Sequence, residues 1–324
     1  MKTTAKAHAN IALVKYWGKR DPTLNLPAVG SISMTLRALT TTTAINFKDE
    51  FTRDRLILNG KHAGEKQARR VSKFLDLMRE PAGVHTFAEI TSENNFPTGA
   101  GLASSASGFA ALAVAADRAL NLNLSPTALS RYARMGSGSA ARSIFGGFVE
   151  MHRGEKPDGS DAVAEPLFDA NYWPLEMLIL ITSEAEKPIG STEGMNLTAQ
   201  TSPYYPAWVE SSINDLAEMR DAITRRDFEK LGEIAEFSCF KMHGLAMSAN
   251  PALIYWNELT VKLIAEVRRL RKQGTPAYVT IDAGPQVKVI CPPGESDSLM
   301  THFSKFEGIK QVLQSNIGGG ARVK

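Results

Sequence analysis

The sequence is poor in the features that would set it apart from an ordinary soluble globular protein. Only two of its 324 residues are cysteine, Cys239 and Cys291, and they lie far apart without a CxxC pair or metal-ligand spacing. That argues against a disulfide scaffold or a zinc site and suits two buried thiols in a reducing compartment. No stretch approaches ~18 uninterrupted apolar residues, so no membrane span is expected. The N-terminal MKTTAKAHANIALVKYWGKRD is interrupted by charges and has no apolar core of signal-peptide length, so a cytoplasmic location is expected. Net charge is only +3, which argues against nucleic-acid binding driven by bulk charge but leaves room for a local basic site taking an anionic small molecule. Repeats and low-complexity segments are also missing. What is present is 43% hydrophobic and 22% charged residues, enough for a sizeable core in one large or two ordinary domains.

The first half mixes strands and helices. Ala38–Phe47 is β-rich and full of threonine, and Arg55–Leu58 runs into the hairpin signal Asn59-Gly60. Thr86–Thr91 alternates weakly ahead of a glycine-rich loop. From Ser104 to Leu120 an alanine-rich helix is predicted, with Phe109, Leu112, Ala113 and Ala116 along one face. Ser125-Pro126 reads as an N-cap followed by proline at the first helical position, with Gly136 closing that helix. The second half opens on an apolar strand, Leu175–Ile181. Helical patterns follow at 206–224, 228–243 and 251–273, the last starting on Pro251 and stopping at Gly274. Ala277–Ile281 and Val287–Ile290 then flank the turn Asp282-Ala283-Gly284-Pro285. The pattern is that of a two-domain α+β protein with a boundary near residue 180, giving units 1–180 and 181–324, although no flexible linker marks it.

Four short stretches carry chemistry. Phe96–Ser107 reads FPTGAGLASSAS, with glycines before hydroxyl residues at the mouth of a helix. Unpaired N–H groups and the helix dipole favour an anion there. It lacks the lysine of a Walker loop, and the stretch reads equally as a tight turn with capping serines. Gly136–Ser143 (GSGSAARS) is a second glycine–serine loop ending on Arg142, whose planar fork matches carboxylate or phosphate oxygens; the alternative is a polar turn with a surface arginine. Lys15–Arg20 (KYWGKR) places three cations and two aromatics just after the buried-looking Asn10–Val14. Asp282 ends an apolar strand. A turn former bonding its own backbone is the commoner role for such an aspartate, and orienting or deprotonating a hydroxyl in a cationic cleft is the other. The basic run Arg268–Lys272 lies on a helix with core periodicity and reads as a solvated face.

In this order, NIALVKYWGKRD (Asn10–Asp21), FPTGAGLASSAS, GSGSAARSIFGGF (Gly136–Phe148) and DAGP (Asp282–Pro285) resemble the GHMP kinase superfamily and, within it, the mevalonate diphosphate decarboxylase family. The resemblance runs from about Ala5 to Val289. It implies a GHMP kinase-like α+β fold: a ribosomal-protein-like N-terminal domain binding ATP, a ferredoxin-like C-terminal domain carrying Asp282, and a cleft between them. The implied reaction is ATP-dependent decarboxylation of mevalonate 5-diphosphate to isopentenyl diphosphate, through 3-hydroxyl phosphorylation and loss of phosphate and CO2. By the same resemblance Asp282, Arg142, Lys15 and Lys187 would be catalytic. Tyr16, Lys19, Gly138, Ser139, Arg142 and Met195 would bind the phosphorylated mevalonate. Ser92, Pro97, Gly99, Gly101, Leu102, Ser104, Ser105, Ser107 and Ser191 would bind ATP, with Mg2+ on its phosphates touching Ser105. The family also implies a homodimer, with neither nucleic acid nor membrane as partner. Its members include monophosphate decarboxylases and 3-kinases, and GHMP folds also serve as non-catalytic sensors. Two departures stand out: Ala28-Val29-Gly30-Ser31 replaces an asparagine-containing run, and Lys187–Met195 keeps only part of its pattern. Lys187–Met195 and Pro81–Gly83 are candidate hinges.

Overall fold

The computed structural model describes residues 2–97, 101–183, 185 and 189–324. Its first strand, Lys2–Val14, alternates between buried and more exposed residues as far as Lys6 and is buried throughout from Ala7 onward. Its antiparallel partner, Ser31–Phe47, is buried from Ser31 to Leu36 and alternates from Leu39. A strand alternates where one face meets water and is buried throughout where both faces are covered. The two fully buried halves lie side by side, and there the second half of the molecule docks.

The first sheet runs in the order Arg322–Val323, Lys2–Val14, Ser31–Phe47, Ala88–Asn94, Arg55–Leu58, Lys61–His62. Phe148–Met151 and Ala164–Phe168 extend it from the other end of Ser31–Phe47. The expected hairpin is present, with Asn59 and Gly60 both at positive φ (49° and 75°). Arg55–Leu58 and Ala88–Asn94 are parallel and need a crossover, which the helix Glu65–Ala82 supplies. The helix Ser104–Ala119 lies on Lys2–Val14 and Ser31–Phe47, and its buried alanines let its backbone come close to the sheet. Phe74, Met78, Phe109, Ala5 and Ile45 close this side of the core.

The second sheet is antiparallel, in the order Tyr278–Thr280, Val287–Cys291, Glu176–Ile181, Gln311–Asn316. Leu178, Leu180, Val267 and Phe303 pack its outer face under the helices Glu258–Lys272 and Ser296–Ser304. Met177, Ile179 and Ile181 on its inner face join Ile11, Leu13, Ile32 and Met34 of the first sheet in one shared core.

Some expectations shift. The helix expected over 251–273 begins only at Glu258, because Asn257 and Thr260 form a reciprocal capping box there. Glu65–Ala82 goes unread from sequence although Val71, Phe74, Leu75 and Met78 fall on one face. Pro81–Gly83, a candidate hinge, is the end of that helix, with Gly83 in the left-handed region and its N–H on the carbonyls of Arg79 and Glu80.

Candidate active site

Asp282 follows the strand Tyr278–Thr280, where the chain leaves the second sheet. Lys15, just past Lys2–Val14, places Nζ 2.7 Å from Asp282 Oδ1, and Lys288, in Val287–Cys291, places Nζ 3.5 Å from Oδ2. Both lysine side chains are 1% exposed, against 24% for the aspartate. Burial alone would raise the Asp282 pKa; the two lysines reverse that and hold the carboxyl well below its usual range. Opposite charges about 4 Å apart attract by about 4 kcal/mol at an effective dielectric near 20, so two such neighbours outweigh the desolvation of one carboxylate. Oδ2 is itself buried, with Lys288 as its nearest cation and no hydrogen bond among the described residues, while the carboxylate as a whole is 24% exposed and so within reach of a hydroxyl.

The residue before it is pinned. Ile281 N–H donates to Cys239 Sγ (3.1 Å), and Ile281 O accepts from Cys239 Sγ (3.5 Å) and from His243 Nε2 (3.3 Å). Both side chains project from the helix Phe228–Met247 at i,i+4 spacing and so share a face. Burial pushes the Cys239 thiol up to about 11, so it stays protonated. Burial and the Lys15 charge lower His243 to about 3, so it adds no third positive charge at neutral pH.

The glycine loop closes against this turn. Gly101 has φ +81°, and a Cβ there would lie 3.1 Å from Gly284 Cα and 3.2 Å from Ala283 O. Gly101 O also accepts from Lys288 Nζ at 2.9 Å. Ser104 and Ser105 open the helix beyond it, half-buried and exposed. Beside them a cavity of about 160 Å³ is lined by Leu56, Leu58, Ile90 and Phe109, with Ser92, Asn94 and Arg70 among its polar groups. Ser92 reaches it from beneath, its hydroxyl 2.9 Å from that of Thr43. Two expected ATP ligands face elsewhere. Ser107 is fully buried with its hydroxyl 2.6 Å from that of Thr41, seating the helix on the sheet, and the Leu102 side chain belongs to the shared core. Pro97 borders the loop; Gly99 and Lys187 lie outside the described residues.

The second glycine–serine loop meets the first where Ser137 Oγ donates to Ser105 Oγ at 3.3 Å. Arg142, 2% exposed, donates to Asn10 Oδ1 (3.2 Å) and Ser31 Oγ (2.5 Å). Asn10 in turn donates to Ser139 O (3.0 Å) and Ser143 Oγ (2.7 Å), tying the first strand to the loop. Ser31 is thus the partner that the Ala28–Ser31 run offers Arg142. Tyr16 lies over Gly138, where a Cβ would sit 2.2 Å from its Oη, and that hydroxyl is buried without a hydrogen bond among the described residues. Lys19, Arg70, Arg134 and Arg142 form no ion pair with any described carboxylate. Burial followed by the Arg70 charge lowers Lys19, while burial pushes Tyr16 up to about 12. Arg142 is buried and Lys19 half-buried without a carboxylate, which is costly unless an anion joins them. Arg70 is exposed, and Arg134 donates to the carbonyls of Gly159 and Ala162. A ligand with several negative charges fits this end. Met195 packs with Trp17 and Tyr255 behind it, and Ser191 opens the helix Ser191–Thr201.

Lys288, Asn10, Ser31, Arg70 and His243 carry no sequence reading as site residues, and Cys239, expected as a buried thiol, is one, here hydrogen-bonded to Ile281. Lys288 had a usable signal, a lysine inside the apolar run VKVIC. The run Arg268–Lys272 is no open basic patch: Arg268 and Arg271 pair with Glu236, and Arg269 with Glu266.

Comparison with known proteins decides the family. Residues 7–164 match the diphosphomevalonate decarboxylase-like N-terminal domain, and residues 177–322 match the mevalonate 5-diphosphate decarboxylase C-terminal domain. The chain belongs to the diphosphomevalonate decarboxylase family. Among decarboxylases of that family, the Candida albicans enzyme is 35% identical over 97% of this chain and 95% of its own. The mevalonate diphosphate decarboxylase of Staphylococcus aureus superposes with a TM-score of 0.94 at 39% identity, over 100% of this chain and 98% of that one. A complex of the protein named MDDEF with MVAPP, AMPPCP and magnesium superposes equally well, at 0.94 and 42% identity, over 100% and 99% of the two chains. The decarboxylase family thus carries the two-domain α+β GHMP-like fold seen here.

Proposed function

We propose that the cleft around Asp282 performs the family's reaction, the ATP-dependent decarboxylation of mevalonate 5-diphosphate to isopentenyl diphosphate, with ATP and Mg2+ as cofactors. The observation that carries this reading is the partly exposed Asp282 carboxylate, set between two buried lysines beside the glycine loop on one side and cations without carboxylate partners on the other. Asp282 accepts the hydrogen bond of the substrate's 3-hydroxyl and aims its oxygen at the terminal phosphoryl group of ATP. As the new oxygen–phosphorus bond forms and ADP leaves, the hydroxyl proton passes late to the carboxylate and from it to the phosphate that departs. Held so strongly ionised, it is a weak base, but a loose phosphoryl-transfer transition state needs positioning and electrostatics more than early proton removal. When phosphate leaves, positive charge grows on carbon 3, and the same carboxylate stabilises it. Arg142, fixed by Asn10 and Ser31, holds the substrate carboxylate in register for loss of CO2. Tyr16 Oη, Lys19, Ser139 and the backbone at Gly138 take the diphosphate.

Ser92, Ser104 and Ser105 receive the nucleotide at the helix mouth, and Lys187 is proposed as the cation nearest the transferring phosphate. Among the described residues no three His, Cys, Asp or Glu side chains cluster as a metal site. Mg2+ therefore fits here as an ion carried on phosphate oxygens, with the Ser105 hydroxyl as a hard oxygen donor. When bound, it neutralises phosphate charge.

A coupled assay with ATP and mevalonate 5-diphosphate tests the reading: ADP and CO2 are expected in equal amounts. ADP without CO2 would make the protein a 3-kinase, and turnover of the monophosphate alone would change the substrate. We further propose a cytoplasmic homodimer. Among the described residues no helix is long and apolar enough to cross a membrane, and both cysteines are buried free thiols. Ile213 and Phe237, both exposed and on adjoining helices, are candidate positions for self-association, which sedimentation equilibrium would test.

A further inference from the structure

Lys288 is fully buried in the strand Val287–Cys291, in a stretch whose other members are apolar. A lysine in such a place is rare unless its charge is paired, and transferring it from water is costly without compensation. Two groups compensate it, and they belong to different parts of the site. Its Nζ donates to Gly101 O at 2.9 Å, on the nucleotide side, and stands 3.5 Å from Oδ2 of Asp282, on the reacting side. Lys15 neutralises the same carboxylate through the other oxygen, at 2.7 Å. One cation would serve to keep an aspartate ionised. The second therefore has another use, and its bond to Gly101 identifies it.

We propose that Lys288 is a positioning residue that locks the glycine loop to the catalytic aspartate, so that Oδ2 and the nucleotide phosphates are held in one register. Three features make the lock stiff. Gly101 approaches the Ala283-Gly284 backbone too closely to admit a side chain without displacement. The strand bearing Lys288 is hydrogen-bonded on both sides, to Tyr278–Thr280 and to Glu176–Ile181. Gln286, two residues earlier, accepts from Thr182 N–H at 2.6 Å and donates to Ser183 O, fixing the turn to the adjoining strand end. A sub-ångström shift of Nζ would thus alter Asp282 and Gly101 together. Lys15 has no equivalent role, since among the described residues its side chain bonds Asp282 alone.

The inference rests on the decarboxylase reading of the cleft, and the test separates the two. The parent, Lys288→Met and Lys288→Gln are compared for kcat, for the KM of each substrate, and for the pH at which turnover fails on the acid side. Charged and titratable groups around Asp282 are Lys15, Lys288 and Arg142, together with Cys239 and His243 from the helix behind. Removing one cation makes the carboxylate easier to protonate, so the acid limb should move to higher pH in both variants. Turnover should fall by about a hundredfold, the loss expected of an ångström-scale misplacement. KM for ATP should rise severalfold, with KM for mevalonate 5-diphosphate little changed. Lys288→Gln keeps an N–H to donate to Gly101 O and guards against loss of fold in the methionine variant, which thermal unfolding would reveal. Lys288→Arg, which keeps the charge, should recover part of the turnover and return the acid limb toward that of the parent. A glutamine variant with parental kcat and acid limb overturns the proposal. So does one whose kcat falls while neither the acid limb nor the KM for ATP moves, because the lysine then serves packing alone. A parent that fails to turn over mevalonate 5-diphosphate would instead sink the reading of the cleft.

Discussion

Asp282 meets Lys15 through one oxygen and Lys288 through the other, and His243 fixes the backbone just before it. Burial and the Lys15 charge keep His243 neutral in that place, which gives stability a defined pH dependence. Its pKa falls from an ordinary 6.5 to about 3 in the fold. Between those values the unfolded chain binds a proton that the folded chain does not, so stability falls as pH drops through this window. His8, also lowered by burial, adds in the same direction. The Asp282 carboxyl, depressed in the fold, contributes stability that is lost only below its unfolded value near 4, so the two effects begin at different pH. The thermal midpoint should decline between about pH 6.5 and pH 4, by an amount equivalent to a few kcal/mol. His243→Gln, which keeps an N–H donor, should flatten the curve; an unchanged slope would show that His243 does not cause it. Sequence offered no sign of this residue, because its role depends on a helix that folds over the strand end.

At the scale of elements, the two loops and the DAGP turn were legible because each carries its own chemistry: glycines where the backbone must turn or approach, serines at a helix mouth, an aspartate ending an apolar strand. Their contact was not legible. Gly101 illustrates the difference, since sequence marks it as a residue of a phosphate loop while the fold also uses its missing side chain to seat Ala283 and Gly284. Gly101→Ala should force the loops apart and strain a left-handed backbone position, costing about 1–3 kcal/mol. The expected result is a severalfold rise in KM for ATP with a lower kcat, measured by steady-state kinetics; parental constants would show that the contact is incidental. Ser107 makes the converse point. It shares the SSAS run with Ser104 and Ser105, but helical rotation turns it onto Thr41 and away from the proposed nucleotide site. The helix starting at Glu258 was misread at its beginning because the Asn257–Thr260 capping box outweighs Pro251 as a start signal. In the structure Thr260 also lies 2.8 Å from Pro285 O and braces the turn after Asp282.

Over the whole molecule, a net charge of +3 conceals a concentrated positive field in the cleft, and composition alone could not reveal it. Lys15 and Asp282 are 267 residues apart in sequence, and they meet because the buried halves of the first two strands share a core with the inner face of the second sheet. The α+β class and the order of the motifs followed from local pattern and family resemblance; the pairing across the units needed the fold. Removing the aspartate leaves Lys15 without its carboxylate and Lys288 with only the Gly101 carbonyl, so Asp282→Ala should lose several kcal/mol of stability along with activity. The most direct test of the account measures this variant's turnover and its equilibrium affinity for ATP side by side. We expect turnover to fall by about a thousandfold or more while ATP still binds within a few-fold of the parental affinity, which also shows that the variant folds. Turnover within a few-fold of the parent would contradict the account.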